Sequence, residues 1–276
     1  MKKNKKWVEV LIYLILTLGS VITMIPFFWM LSTALKEEWQ IQKWPPQWIP
    51  NPARWDNFLI VFSQLPFGSW FMNTLFITAV TMAGTLLSST MVAYGFARYR
   101  APARQFWFIS MLATMMIPWT VMIIPQFFLF KSLGWINTFL PLMVPSFFGT
   151  AFYIFLLRQF FLTIPIDMEE AAKIDGAGTI KVLMYVLLPM VVPVLITVGI
   201  FQFNSAWNDF LHPLIYLNRS ELYTLSLGIN FFKSDKEVQW NLLMAASIVT
   251  LLPSLVLFFV GQKYFVQGVA MSGVKG

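Results

Sequence analysis

Six long apolar runs constrain the fold of this 276-residue chain more than any other feature. A transmembrane helix needs about 20 consecutive, mostly apolar residues, because the hydrocarbon core of a bilayer is about 30 Å thick. The runs cover residues 9–33, 70–95, 106–129, 138–157, 183–207 and 242–262. Only 11% of the residues are charged, whereas soluble domains carry about 25%. We therefore predict an all-α integral membrane protein with six transmembrane helices, forming a single transmembrane domain over residues 1–276.

The first apolar run has two interpretations, a retained span or a cleaved signal peptide. Four lysines precede it, and Ser32 and Ala34 form an acceptable cleavage motif. However, the run is far longer than the roughly 7–15 apolar residues of a signal peptide core. We therefore expect the first span to be retained.

The distribution of basic residues predicts the orientation of the spans. If the N-terminus is cytoplasmic, the inner segments hold 12 of the 19 Lys and Arg residues with five acids, and the outer segments hold seven of each. Cytoplasmic loops of membrane proteins are enriched in Lys and Arg. We therefore expect both termini in the cytoplasm, a cytoplasmic loop at about 163–182, and external loops at about 34–69 and 208–241.

Several function classes lack the residues that they need. No Asp, Glu, Lys, Arg or His falls well inside an apolar run, although proton relays and voltage sensors require such residues at membrane depth. The chain has no Cys, one His and no GxxxxGK[ST] phosphate loop, which disfavours zinc ligation and nucleotide binding. The basic residues flank the apolar runs, as topology-setting residues do. We expect no enzymatic activity, no catalytic residue, no metal site, no cofactor bound by this chain and no nucleic-acid partner.

The loop between the fourth and fifth runs has the pattern of a helix, a turn and a second helix. Pro165 ends the preceding helix, because proline has no amide hydrogen. Asp167 then predicts a helix N-cap, with Glu170 three residues later as in a capping box. Gly176 predicts a left-handed stop, and Pro189 predicts a kink or a loosened turn at the start of the fifth span. From these features alone, the loop is either a solvated connection or a docking surface for a soluble partner.

Residues 170–189 resemble the EAA signature of permease subunits of ABC importers. The pattern E-A-A-x-x-x-G-x9-I-x-L-P fits with one departure, Val186 in place of Ile. This resemblance implies the ABC type I importer (MetI-like) permease core and a coupling helix that docks in a cleft of the ATPase subunit. The coupling residues that it implies are Glu169, Glu170, Ala171, Ala172, Asp175, Gly176, Leu188 and Pro189.

A second resemblance narrows the family. Residues 204–217, NSAWNDFLHPLIYL, and the ending GQKYFVQGVAMSGVKG are similar to maltose-type carbohydrate permeases, in particular the second (MalG-like) subunit. In that subunit the C-terminal tail also contacts the ATPase dimer. By this resemblance, Gly273, Lys275 and Gly276 are the expected tail contacts.

The resemblance implies a set of partners and a mechanism. The partners are a second permease subunit that forms a heterodimer with this chain, two copies of an ABC ATPase that use ATP, and an extracytoplasmic solute-binding protein. The complex would sit in the lipid membrane that surrounds a bacterial or archaeal cytoplasm and import sugars or related polyols by alternating access. Two alternatives stay open: a permease for glycerol-phosphate-type solutes, and an ion-coupled secondary carrier.

Three asparagines near the ends of apolar runs are weak candidates for a solute path: Asn73, Asn204 and Asn208. Amides suit sugar hydroxyls, but in a bilayer they also form structural hydrogen bonds between helices. The Trp-rich loop after the first span is typical of an aromatic belt at the membrane interface, and a contact with the solute-binding protein is the alternative.

Overall fold

The computed structural model describes residues 2–232 and 238–273, and it describes side chains within 6–232 and 238–262. This described part is all-α and contains no β-strand. Its α-helices are α1 (Lys2–Ala34), α2 (Glu38–Ile41), α3 (Asp56–Gln64), α4 (Phe67–Arg98), α5 (Arg104–Ala113), α6 (Trp119–Ser132), α7 (Leu140–Met143), α8 (Ala151–Thr163), α9 (Asp167–Ile174), α10 (Thr179–Lys181), α11 (Leu188–Trp207), α12 (Leu211–Tyr216), α13 (Leu225–Gly228) and α14 (Trp240–Gly273). The all-α class predicted from the apolar runs is confirmed.

Five helical segments of the described part are long and apolar enough to cross a membrane. They overlap the first, second, fourth, fifth and sixth predicted spans, and their bounds are Lys6–Ala34, Phe67–Arg98, Leu140–Thr163, Thr179–Trp207 and Trp240–Gln262. Each has a mean hydropathy of at least 1.6 in its most apolar window.

The third predicted span differs from the expectation of one straight helix. Arg104–Met116 and Trp119–Ser132 meet at an angle of 99°. The break falls at Ile117 and Pro118, where Ile117 is extended with ψ of 116°. Proline disfavours the helical conformation of the residue before it and cannot donate the next helical hydrogen bond. Two short helices therefore replace the predicted run over 106–129. The described part of the chain has six candidate spans only if this bent pair counts as one span.

The chain forms two compact units, Met1–Phe67 with Ile229–Leu252 and Gly68–Gly228 with Pro253–Gly276. In the first unit, the loop after α1 folds back onto the end of that helix. The Asn57 amide donates to the carbonyl oxygens of Ala34 at 2.8 Å and Lys36 at 2.9 Å. These bonds satisfy carbonyl groups that a helix C-terminus otherwise leaves without partners. The loop after α1 is therefore ordered by its own side chains.

The core of the second unit forms where α4, α8 and α11 pack together. Its buried residues include Ala93, Tyr94 and Ala97 of α4, Ile154, Leu157 and Phe161 of α8, and Val191, Val194 and Val198 of α11. Small and β-branched side chains at such contacts allow helix backbones to approach closely. The same core continues into Ile164, Val182 and Leu187, so it supports the segment that carries the EAA signature.

Candidate functional site

Helix α9 contains the EAA signature and begins with a cluster of acids. Asp167, Glu169 and Glu170 lie in its first turn, where the positive end of the helix dipole favours negative charge. The N-cap residue is Ile166, and no side chain caps the helix. The predicted cap at Asp167 is therefore wrong: Ile166 is already in the helical region, with φ of −68° and ψ of −26°, and Asp167 becomes the first helical residue.

The end of α9 is a Schellman motif. Gly176 has φ of +82°, a left-handed backbone conformation that residues with a Cβ rarely adopt. The Ala177 amide donates to the Ala172 carbonyl at 2.9 Å, and the Gly176 amide donates to the Lys173 carbonyl at 3.0 Å. This pair of bonds is the one that defines the motif. The predicted left-handed stop at Gly176 is confirmed, and it fixes the point at which the chain turns away from α9.

Replacing Gly176 by alanine should loosen the end of α9. A Cβ at this position meets no atom within 4 Å, so the cost is the left-handed backbone itself, about 1–2 kcal/mol. We expect about 5- to 30-fold faster hydrogen exchange at the amides of residues 172–178, measured by mass spectrometry. Gly178→Ala is the matched control, because Gly178 has φ of −71°. Equal exchange in both variants would contradict this prediction.

The two adjacent glutamates of α9 have different environments. The Glu169 side chain is 2% exposed and forms an ion pair with Arg98 at the end of α4, whose side chain is 9% exposed. Glu170 is exposed to solvent. Successive helical residues point about 100° apart, so one of the pair faces the core and the other faces outward. Glu169 is thus an internal residue of the site, and Glu170 is the carboxylate available to a partner.

Arg98 connects three elements at the base of the site. Besides Glu169 of α9, its Nη2 donates to the carbonyl oxygen of Ile164, just after α8, at 2.7 Å. Ala172, one turn after Glu169, packs against the buried core. The inner face of α9 is therefore held to the ends of α4 and α8, and a displacement of α9 must act on both.

The exposed side chains of residues 170–185 include both acids and large apolar groups. Glu170, Ala171 and Asp175 are exposed, while Ile174, Ile180 and Tyr185 are 87%, 76% and 79% exposed. Exposed apolar side chains beside polar ones are typical of protein-binding surfaces. Neither Ile180 nor Tyr185 is among the residues that the EAA signature implies; Ile180 precedes the fifth apolar run and Tyr185 lies at its start.

The connection from α10 to α11 is loosened before a proline. Residues Val182–Leu187 form a π-helical segment directly before Leu188 and Pro189. Pro189 cannot donate the usual bond to the carbonyl four residues earlier, and its ring crowds that carbonyl. A wider turn relieves both conflicts. Leu188 packs against the core and Pro189 is exposed, and the predicted loosening lies in the first turns of the fifth span.

The remaining predicted site residues are placed as follows. Gly273 is the last described residue of α14, and Lys275 and Gly276 lie outside the described residues. The Asn73 amide donates to the carbonyls of Glu221 and Tyr223 at 2.8 and 3.1 Å. The Asn204 and Asn208 amides donate to carbonyls one turn earlier in the chain, at 3.0 and 2.9 Å. All three asparagines thus support the backbone, and their part in a solute path stays a prediction.

Comparisons with known proteins agree on one family. Residues 86–271 match the family "Binding-protein-dependent transport system inner membrane component". The chain is 32% identical to the probable ABC transporter permease protein YurM of Bacillus subtilis, over 100% of this chain and 92% of that protein. It is also 32% identical to the arabinooligosaccharides transport system permease protein AraQ of Halalkalibacterium halodurans, over 82% and 81%.

A solved structure supports the fold independently. A chain in the crystal structure of a bacterial ABC transporter involved in the import of the acidic polysaccharide alginate matches with a TM-score of 0.84 and 21% identity, over 95% of this chain and 98% of that chain. The MetI-like permease fold is thereby confirmed. The chain belongs to the binding-protein-dependent transport system inner membrane component family, and it is a multi-pass, non-enzymatic permease subunit of an ABC importer.

Proposed function

We propose that this permease imports sugars or related polyols and that α9 is its docking helix for an ABC ATPase. This proposal rests on the different environments of two adjacent glutamates. Glu169 is buried against Arg98, whereas Glu170 is exposed, as is Ile174 one turn later. A docking helix needs one face for the partner and another that is fixed to the spans. The relative AraQ, named for arabinooligosaccharides, supports the carbohydrate class.

The internal contacts of α9 suggest how motion passes to the spans. ATP binding would bring the two ATPase copies together and displace α9 through Glu170. The Arg98–Glu169 ion pair and the Arg98–Ile164 hydrogen bond join α9 to α4 and α8, so these helices would move with it. Repacking of close-packed helices occurs between discrete arrangements, which here correspond to outward-open and inward-open states. This chain performs no chemistry in that cycle.

Three kinds of partner complete the proposed assembly. A second permease subunit completes the pathway, two ATPase copies drive it, and an extracytoplasmic solute-binding protein delivers the solute. The C-terminal residues Gly273, Lys275 and Gly276 form a second contact with the ATPase dimer. The binding protein is an expected partner because the family is binding-protein-dependent.

Co-purification from native membranes in mild detergent tests the assembly. We expect mass spectrometry of the retained proteins to identify an ABC ATPase, a second permease and a solute-binding protein. A Glu170→Lys variant, expressed at the same level, should retain less ATPase and the same amount of second permease. Equal retention of the ATPase by the wild-type and Glu170→Lys chains would contradict the assignment of α9 as the docking helix.

A further inference from the structure

A small polar cavity lies in the second unit, at the end of α11 that the charge distribution assigns to the outer side. Its volume is about 80 Å³, room for two or three water molecules at about 30 Å³ each. Five polar side chains line it: Thr81, Gln202, Ser205, Asp209 and Thr224. None of them is among the asparagines that the sequence analysis selected. The cavity therefore has room for a hydroxyl or hydroxymethyl group.

One lining hydroxyl is buried without a hydrogen-bond partner. Thr224 is 3% exposed, and its Oγ1 has no partner among the residues that the structure describes. A buried polar atom that lacks a partner costs about 1–3 kcal/mol, so native proteins rarely retain one without a ligand or water to satisfy it. The Thr224 side chain lines the cavity, and its hydroxyl retains its hydrogen-bonding capacity.

The Asp209 carboxylate, which lines the cavity, is held in place by His212. Oδ2 of Asp209 lies 2.9 Å from Nδ1 of His212, and Oδ1 accepts the His212 backbone amide at 3.2 Å. The hydrogen bond to Asp209 raises the pKa of His212, against an opposing effect of burial. His212 thereby fixes the orientation of the Asp209 carboxylate, whose remaining lone pairs are free to accept from a hydroxyl group.

We infer that this cavity binds a hydroxyl or hydroxymethyl group of a neutral, hydroxyl-rich solute during import. Asp209 accepts a hydrogen bond from the solute, and Thr224 and Gln202 supply further donors and acceptors. The lining residues include no Lys or Arg, so a phosphorylated or acidic solute would meet a carboxylate with no cation to receive it. This inference rests on the proposed import function and specifies its substrate class.

The test uses the complete importer in proteoliposomes, with binding protein and ATP, and four labelled probes: arabinotriose, maltose, lactose and sn-glycerol 3-phosphate. We expect ATP-driven uptake of a neutral probe. Thr224→Val, which keeps the shape and removes the hydroxyl, should lower kcat/KM for that probe about 3- to 10-fold, the equivalent of one neutral hydrogen bond. Asp209→Asn should lower it about 10-fold or more, because hydrogen bonds to charged groups are stronger.

Thermal unfolding separates binding from folding. Thr224→Val should leave the unfolding temperature of the complex without solute unchanged or higher, because it removes an unsatisfied buried group. Thr224→Ser should restore uptake. Thr23→Val is the matched control, since the Thr23 hydroxyl is exposed and donates to the carbonyl oxygens of Gly19 and Ser20 within α1.

The experiment gives different results if the cavity is not a solute-binding site and if the proposed function is wrong. ATP-driven uptake that is unchanged in Thr224→Val and Asp209→Asn would overturn the cavity site, which would then hold water only. A preference for sn-glycerol 3-phosphate would overturn the neutral class. Uptake driven by an ion gradient without ATP, yet still reduced in Thr224→Val, would overturn the proposed function and retain the site.

Discussion

Replacing Arg98 by alanine should abolish ATP-driven uptake and reduce the amount of folded permease. The variant leaves the Glu169 carboxylate buried, at 2% exposed, without its cation. Removing one partner of a buried ion pair typically costs about 3–5 kcal/mol, a large fraction of the stability of most domains. The bond to the Ile164 carbonyl is lost as well. Thermal unfolding of the detergent-solubilised protein and uptake into cells measure the two effects.

A double variant separates stability from coupling. Arg98→Met with Glu169→Met removes both charges, and apolar replacement of a buried ion pair is often neutral or stabilising. We expect the double variant to recover folded protein while uptake stays low, because α9 is no longer joined to α4. Wild-type stability of Arg98→Ala alone would show that the pair is not a structural connection.

Replacing Glu170 by lysine should reduce ATP-driven uptake about 10-fold or more while the protein still inserts and folds. Glu170 is exposed, so the change disturbs little within the chain, but it reverses the charge on the docking surface that we propose for the ATPase. Like charges placed together at an interface cost several kcal/mol. Uptake and ATPase activity of the assembled complex, compared at equal protein level, measure the loss of coupling.

The control for Glu170 is Asp167→Lys. Asp167 is also exposed and lies in the same first turn of α9, so both variants lose a similar favourable interaction with the helix dipole. We expect uptake by Asp167→Lys to remain within about twofold of wild type. Normal uptake by Glu170→Lys would remove the basis for assigning α9 to ATPase docking.

Local physical rules explain the features that the sequence predicted correctly. Bilayer thickness sets the length of an apolar run, so the helical spans follow from hydropathy. Gly176 predicted a left-handed turn because other residues rarely adopt one, and the structure has φ of +82° there. The third span shows the limit of this approach: hydropathy predicts a run over 106–129, whereas the chain breaks at Ile117 and Pro118 into two helices at 99°.

The sequence by itself determined the class of this protein, the position of its apolar helices and the segment that carries the EAA signature, because these depend on residues close together in the chain. The tertiary structure decided which carboxylate of the Glu169–Glu170 pair is buried, because Arg98 lies 71 positions before Glu169 and only folding brings the two together. It also placed Thr224 and Asp209 around one cavity with Thr81. Long-range contacts of this kind leave no periodic pattern in a sequence. Which polar residues are buried, exposed or around a cavity is therefore decided only when the helices pack.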